Sequence, residues 1–178
     1  GRTSSDFIVQ KAMDNSFYAA NSGLILQKGI VKASASVSYG HYDGNHFGDV
    51  IWSKHLELKD AFRWYRNNGT KQDYSGYVRA EVDFAHNFTG FADLQYRGVS
   101  YSIDGIDSDF MNLGWKQNYN FFNPKGGFTF APDDNSRIYA SVAVAHREPS
   151  RSDIKESIKS GSANRLKAEK LVDVEVGY

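Results

Sequence analysis

The stretch YGHYDGNHFGDVIWSKH brings His41, His46 and His55 close in sequence to Asp43 and Asp49. Imidazole mixed with carboxylate is a donor set for a transition metal. The spacing matches no defined zinc or iron motif, so hydrogen-bonded loop histidines are expected, with no metal and no cofactor. The run DGIDSD concentrates Asp104, Asp107 and Asp109, a carboxylate density that can hold calcium. The glycine and distant glutamate of an EF-hand are missing, and a solvated acidic loop is the expectation. Trp52, Trp64, Tyr65, Arg66 and Trp115, expected on exposed loops, could stack on and grip an aromatic or anionic ligand. The competing reading makes them an aromatic belt at a membrane interface. Ser, His and Asp occur in no nucleophile or metalloprotease motif, so no catalytic residue and no enzyme activity are expected. Asn68-Gly69-Thr70 and Asn87-Phe88-Thr89 fit the glycosylation acceptor pattern, a short pattern of low specificity.

The elements that must position these residues are strands. The 178-residue chain carries 21 Lys+Arg against 21 Asp+Glu, a formal net charge of zero. That argues against nucleic acid, which demands a clustered positive surplus. Without cysteine there are neither disulfides nor thiolate metal sites. Tyr, Phe and Gly are abundant and Pro scarce, a composition of sheets and turns.

Alternation supports this directly. Val31, Ala33, Ala35, Val37 and Tyr39 fall on one face, opposite Lys32, Ser34, Ser36, Ser38 and Gly40. Val78, Ala80, Val82 and Phe84 oppose Tyr77, Arg79, Glu81 and Asp83; Ala92, Leu94 and Tyr96 oppose Asp93, Gln95 and Arg97. Ile138, Ala140, Val142 and Val144 oppose Tyr139, Ser141, Ala143 and Ala145, and Val172, Val174, Val176 and Tyr178 oppose Asp173, Glu175 and Gly177. With less regular segments near 16–27 and 119–131, about seven strands are expected and no convincing helix. SRSDIKESIKSG reads as loop with one helical turn at most.

Connections alternate in length. Short ones lie at 27–29, at 86–90 (His86 to Gly90) and at 132–136; longer ones cover about 41–73, 102–118 and 147–165. Short turns at one rim and long loops at the other are the mark of an outer-membrane β-barrel. The small apolar residues suit a lipid face, and the charged reverse suits an aqueous lumen. The fold class expected is an all-β, antiparallel up-and-down meander belonging to a transmembrane barrel.

Two segments then resemble TonB-dependent outer-membrane receptors. Arg147, Glu148, Pro149 and Ser150 resemble the family's Arg-x-Pro-Ser/Thr strand end. Leu166, Lys167, Ala168 and Glu169, followed by Glu175, Val176, Gly177 and Tyr178, resemble its Leu-Lys-Pro-Glu … Glu-x-Gly-Tyr segment, with Ala168 where the family has Pro. FADLQYRG (91–98) and FFNPKGGFTF (121–130) are similar to barrel strands of these receptors, especially those of Bacteroidetes-like bacteria. The resemblance implies a barrel of about 22 strands in the outer membrane, enclosing an N-terminal plug. It implies import of a scarce nutrient, a ferric siderophore first, with haem, cobalamin or a glycan as other cargoes. It implies as partners the outer-membrane lipid, the small nutrient and, through the plug, the TonB complex.

Residues 1–178 are expected to be an excised part of such a barrel, lacking plug and remaining strands. Cut out in this way, the piece is expected to self-associate. The rivals are a secreted β-sandwich module binding carbohydrate or a host surface, with Val78, Val142 and Val174 in one dry centre, and a barrel enzyme or adhesin.

Overall fold

The computed structural model describes residues 6–85 and 87–178. Seven strands form one sheet in sequence order, each antiparallel to the next. They are β1 Phe7–Lys28, β2 Val31–Ser53, β3 Phe62–Ala85, β4 Phe88–Gly105, β5 Trp115–Asp133, β6 Ser136–Arg147 and β7 Glu169–Gly177. A nine-residue helix, α1, runs from Arg151 to Lys159 between β6 and β7, followed by a single 3-10 turn at Ala163–Arg165.

The expected strand faces form. Register pairs Ala33 with Ala80, Ala35 with Val78 and Val78 with Leu94 on one face. Lys32 with Glu81, Arg79 with Asp93 and Asp93 with Lys125 lie on the other. No second sheet covers the apolar face: Val78, Val142 and Val174 are 58%, 51% and 71% exposed. The sandwich alternative, which needs those three interlocked in a dry interior, is thereby excluded. Among the described residues no helix is long and apolar enough to cross a membrane. An arginine in place of Val78 would face the hydrocarbon, where it costs about 2–4 kcal/mol near the midplane. On the expectation of a membrane barrel, Val78→Arg in the full-length protein lowers the yield of assembled barrel, read as heat-modifiable mobility of outer-membrane fractions. The inward-facing Tyr77→Arg is the control, expected to assemble normally.

The expected loop lengths are corrected. The excursion over 41–73 is mostly strand: β2 continues to Ser53 and β3 begins at Phe62, so the connection is 54–61. Likewise β4 runs on to Gly105 and β5 starts at Trp115. Crossing the hydrocarbon takes about 9–11 tilted residues, whereas β1, β2 and β3 have 22, 23 and 24. Beyond the apolar band polar residues appear on both faces, so the alternation that reveals a strand disappears while the backbone ladder continues. Cross-strand polar pairs hold this part. Asp43 accepts from Asn68 Nδ2 and Thr70 Oγ1, each at 3.1 Å, Asn45 Oδ1 from Arg66 Nη2 at 3.1 Å, and Asp49 from Arg63 at 2.8 and 3.0 Å. The tight turns stand where expected, at Gly29–Ile30 and Asp134–Asn135; His86, in the third, lies outside the described residues.

The loop expected over 147–165 contains α1, the second correction. Ser150 caps it: its Oγ accepts from the Asp153 N–H at 3.3 Å, and Asp153 Oδ2 accepts from the Ser150 N–H at 2.8 Å. This is a capping box. Gly161, at φ +70°, follows the last turn, the left-handed position that favours glycine after a helix. The helix is polar except for Ile154 and Ile158, four residues apart and hence on one side. Ile154 is fully buried against Ile103 of β4 and Leu113 of the 106–114 connection. These three, with Val99, Tyr119 and Phe121 beside them, form the dry centres of the chain. Both lie on the charged face of the sheet, so α1 folds inward over the lumenal wall.

Candidate functional site on the inner wall

Beneath α1 the wall carries an ionic cluster drawn from two strands and the connection that follows β6. Arg97 of β4 faces inward in alternation with Gln95 and Val99, and Lys71 and Asp73 of β3 face the same way. Glu148, the residue after β6, turns in to meet them and is 6% exposed. Arg97 Nη1 donates to Glu148 Oε2 at 2.8 Å and its Nη2 to Oε1 at 3.1 Å. Arg97 Nε donates to Asp73 at 3.0 Å, and Lys71 donates to Glu148. Burial pushes the Glu148 carboxyl up, but hydrogen bonds from Arg97 and Lys71 outweigh it and bring it from 4.5 to about 2. Glu148 is thus a charged hub joining β3 and β4 to the connection above β6.

Further contacts seat the helix. Arg151 donates to Asn67 Oδ1, and Asn67 Nδ2 donates to the Ile106 carbonyl at 3.0 Å. Lys155 Nζ lies 2.6 Å from Asp107 Oδ2 and Lys159 Nζ 3.6 Å from Asp109 Oδ2. Burial raises the Asp107 carboxyl, yet Lys155 beside it leaves it below its ordinary value. The α1 segment and the 106–114 connection are therefore pinned to each other and to the wall.

The two sequence motifs acquire physical roles here. Arg147 bonds both oxygens of Glu169, at 2.9 and 2.8 Å, closing β6 on β7 across the whole intervening connection. Glu148 is the hub, and Ser150 the helix cap. Ala168 packs against the Val99, Tyr119 and Phe121 cluster.

The residues expected to hold ligands or metals separate. His41 stacks on Tyr18 at 4.9 Å on the outward face, His46 lies on the inward face opposite Asn67, and His55 is 3.8 Å from Asp6. Asp104 sits on β4 with the outward residues, while Asp107 and Asp109 are taken by lysines. Among the described residues no group of three or more metal-ligating side chains forms. The five aromatic and basic candidates lie on strands rather than in loops, because β2, β3 and β5 extend beyond the apolar band. Trp52 pairs with Ile8 on the face opposite Val9 and Val50. Arg66 bonds Asn45 on the outward face. Trp64, Tyr65 and Trp115 face inward. A bulge at Gly48/Asp49 puts two consecutive aromatics on one side, Trp64 edge-on to Tyr65 at 5.0 Å. Trp115 stands edge-on to Tyr101 at 5.5 Å and touches both apolar clusters.

Glu148, Lys71, Asp73 and Asn67 were not among the expected site residues. The alternation does place Lys71 and Asp73 inward, but only the fold of the connection brings Glu148 onto them.

A meander with a bare apolar outer face, an ionic inner face and an inward-folded connection defines an outer-membrane β-barrel wall. The chain belongs to the family of TonB dependent receptor-like β-barrels, whose match spans residues 4–178. Among solved structures it is similar to the unliganded ferric citrate transporter FecA, with TM-score 0.70 and 12% identity. That match covers 98% of this chain and 26% of FecA. It is also similar to the closed form of the ferric-catecholate import receptor Fiu from E. coli K12, with TM-score 0.63 and 15% identity. There the match covers 94% of this chain and 29% of Fiu. The chain thus spans about a quarter of the length of these structural relatives. Comparison with curated protein sequences finds no match.

Proposed function

We propose that this chain is the wall of a TonB-dependent outer-membrane transporter that imports a scarce nutrient as an iron chelate, and that it works as part of a longer protein with a plug inside its barrel. The observation that carries the reading is the division of the sheet: a bare apolar face, fit for lipid, backed by an ionic face over which a connection folds inward. A receptor for a bulky solute needs that arrangement, since the lumen must be wet yet narrowed toward the outside. Family membership supports the energised partner at the inner membrane. Iron as the cargo is supported by what the two structural relatives are named for.

The test is uptake of radiolabelled iron by cells expressing the whole receptor, supplied with ferric citrate or a ferric tris-catecholate. Import of at least one chelate that stops when TonB is removed is the expected result. Uptake indifferent to TonB would overturn the reading.

Cut from its barrel, the sheet presents two unpaired edges and an uncovered apolar face, both of which invite association. The isolated 178-residue piece is expected to self-associate in detergent-free buffer. A clean monomer by light scattering at all concentrations would contradict that.

A further inference from the structure

The inward face near the rim holds a second feature that the ionic cluster does not use. Between the upper ends of β1, β2 and β3 and the tip of the 106–114 connection lies a cavity of about 620 Å³. Val9, Val50, Phe62, Trp64 and Phe110 line it, and Ser53 is the sole polar side chain among its described lining residues. Ligand sites generally run to several hundred Å³ with mostly apolar and aromatic walls. An apolar cavity of about 150 Å³ already holds one benzene ring, so this one has room for more than one ring.

Two details set its chemistry. A side-chain carbon at Gly48 would sit 2.4 Å from the Trp64 ring, so the glycine is what lets the indole lie across β2. Phe110, at the connection's tip, has φ +61° and is 73% exposed. A bulky residue in that region is an outlier and persists only where its surroundings impose it. Here the Phe110 N–H donates to the Asp107 carbonyl at 2.8 Å, and the Asp107 N–H to the Met111 carbonyl at 2.9 Å. The tight turn thus holds an aromatic ring at the edge of an aromatic cavity.

No cation stands among its described lining residues to meet a carboxylate, and Arg63, between Phe62 and Trp64, is committed to Asp49. The geometry points to a subsite for the aryl groups of the cargo, with Trp64 and Phe110 as its stacking walls, so that the receptor takes an aryl-bearing ferric chelate in preference to a polycarboxylate one. This rests on the iron-import reading above.

The test uses the whole receptor, with a ferric tris-catecholate and ferric citrate as probes, in equilibrium binding and iron uptake. Trp64→Ala and Phe110→Gly are the variants; glycine accepts φ +61° without strain, so the turn survives. Trp64→Phe is the conservative control, and heat-modifiable mobility checks assembly. The expected result is binding of the tris-catecholate by the native receptor, weakened about tenfold or more by either variant and retained by Trp64→Phe. Equal binding of the tris-catecholate by native and variant receptors would overturn the subsite while leaving iron import standing. Import of ferric citrate alone would do the same. TonB-dependent import of neither chelate would overturn both readings together.

Discussion

Replacing Ile154 by aspartate is expected to release α1 from the inner wall while the sheet stays paired. Ile154 is completely buried between Ile103 and Leu113, and α1 has little else that is apolar to bury. Truncation to alanine costs about 2–5 kcal/mol at such a site. A carboxylate there, without a cation in the cluster, must either stay neutral or leave. Nine helical residues do not hold together in water alone, so loss of this contact should unravel the helix and free the 106–114 connection that Leu113 anchors. The strands have their own ladders, and β6 remains closed on β7 through Arg147 and Glu169. Hydrogen exchange on the whole receptor should therefore show protection lost over 148–168 and 106–114 but kept in β3 and β4. Ile154→Val, which costs about 0.5–1.5 kcal/mol, should retain native protection. If the aspartate variant exchanged like the native protein, α1 would not be held by this pin.

How much of this was legible in advance depends on what each residue faces. Val78, Leu94 and Val174 meet a uniform apolar medium and alternate with residues that meet water, so strand identity, face and order could be read at once. His41 to Asp49 have aqueous surroundings on both faces. Nothing in their polarity alternates, and two long strands looked like loop. For α1 the local signals were present: Ser150 three residues before Asp153, Ile154 four before Ile158, and Gly161 at the end. Overall polarity masked them, because a helix held to a wall by two isoleucines on one side and by polar contacts elsewhere carries little apolar sequence. The motif Arg147-Glu148-Pro149-Ser150 could be recognised but not explained. Glu148 meets Arg97 and Lys71 across 51 and 77 residues, a distance that no local pattern encodes. The expected aromatic ligand group was divided by the same limit, since a bulge at Gly48/Asp49 decides that Trp64 and Tyr65 share a face.

Glu148 supplies the prediction with the clearest pH signature. Removing one partner of a buried ion pair costs about 3–5 kcal/mol, largely because the remaining charge is stranded. Glu148→Ala leaves Lys71 facing no other carboxylate among its described ion pairs, whereas Arg97 keeps Asp73. The connection should therefore loosen above β6, with Arg97 still tethered. Acid should do the same to the native receptor. The Glu148 carboxyl is depressed in the folded state from 4.5 to about 2. Its contribution is then complete above about pH 4.5 and is lost as pH falls from there toward 2. A shift of that size corresponds to roughly 3 kcal/mol, reduced to about 2 by screening in an open lumen. Asp107, also depressed beside Lys155, weakens in the same direction at low pH. Trp115 touches both apolar clusters under the connection, so its fluorescence in a receptor lacking other tryptophans reports the loosening. Native emission should stay constant from pH 7 to about 5 and shift to the red as pH falls further. Glu148→Gln, which cannot ionise, should already be red-shifted at pH 7 and show only the smaller change left to Asp107. Identical pH profiles for native and Glu148→Gln receptors would mean that the hub does not hold the connection down.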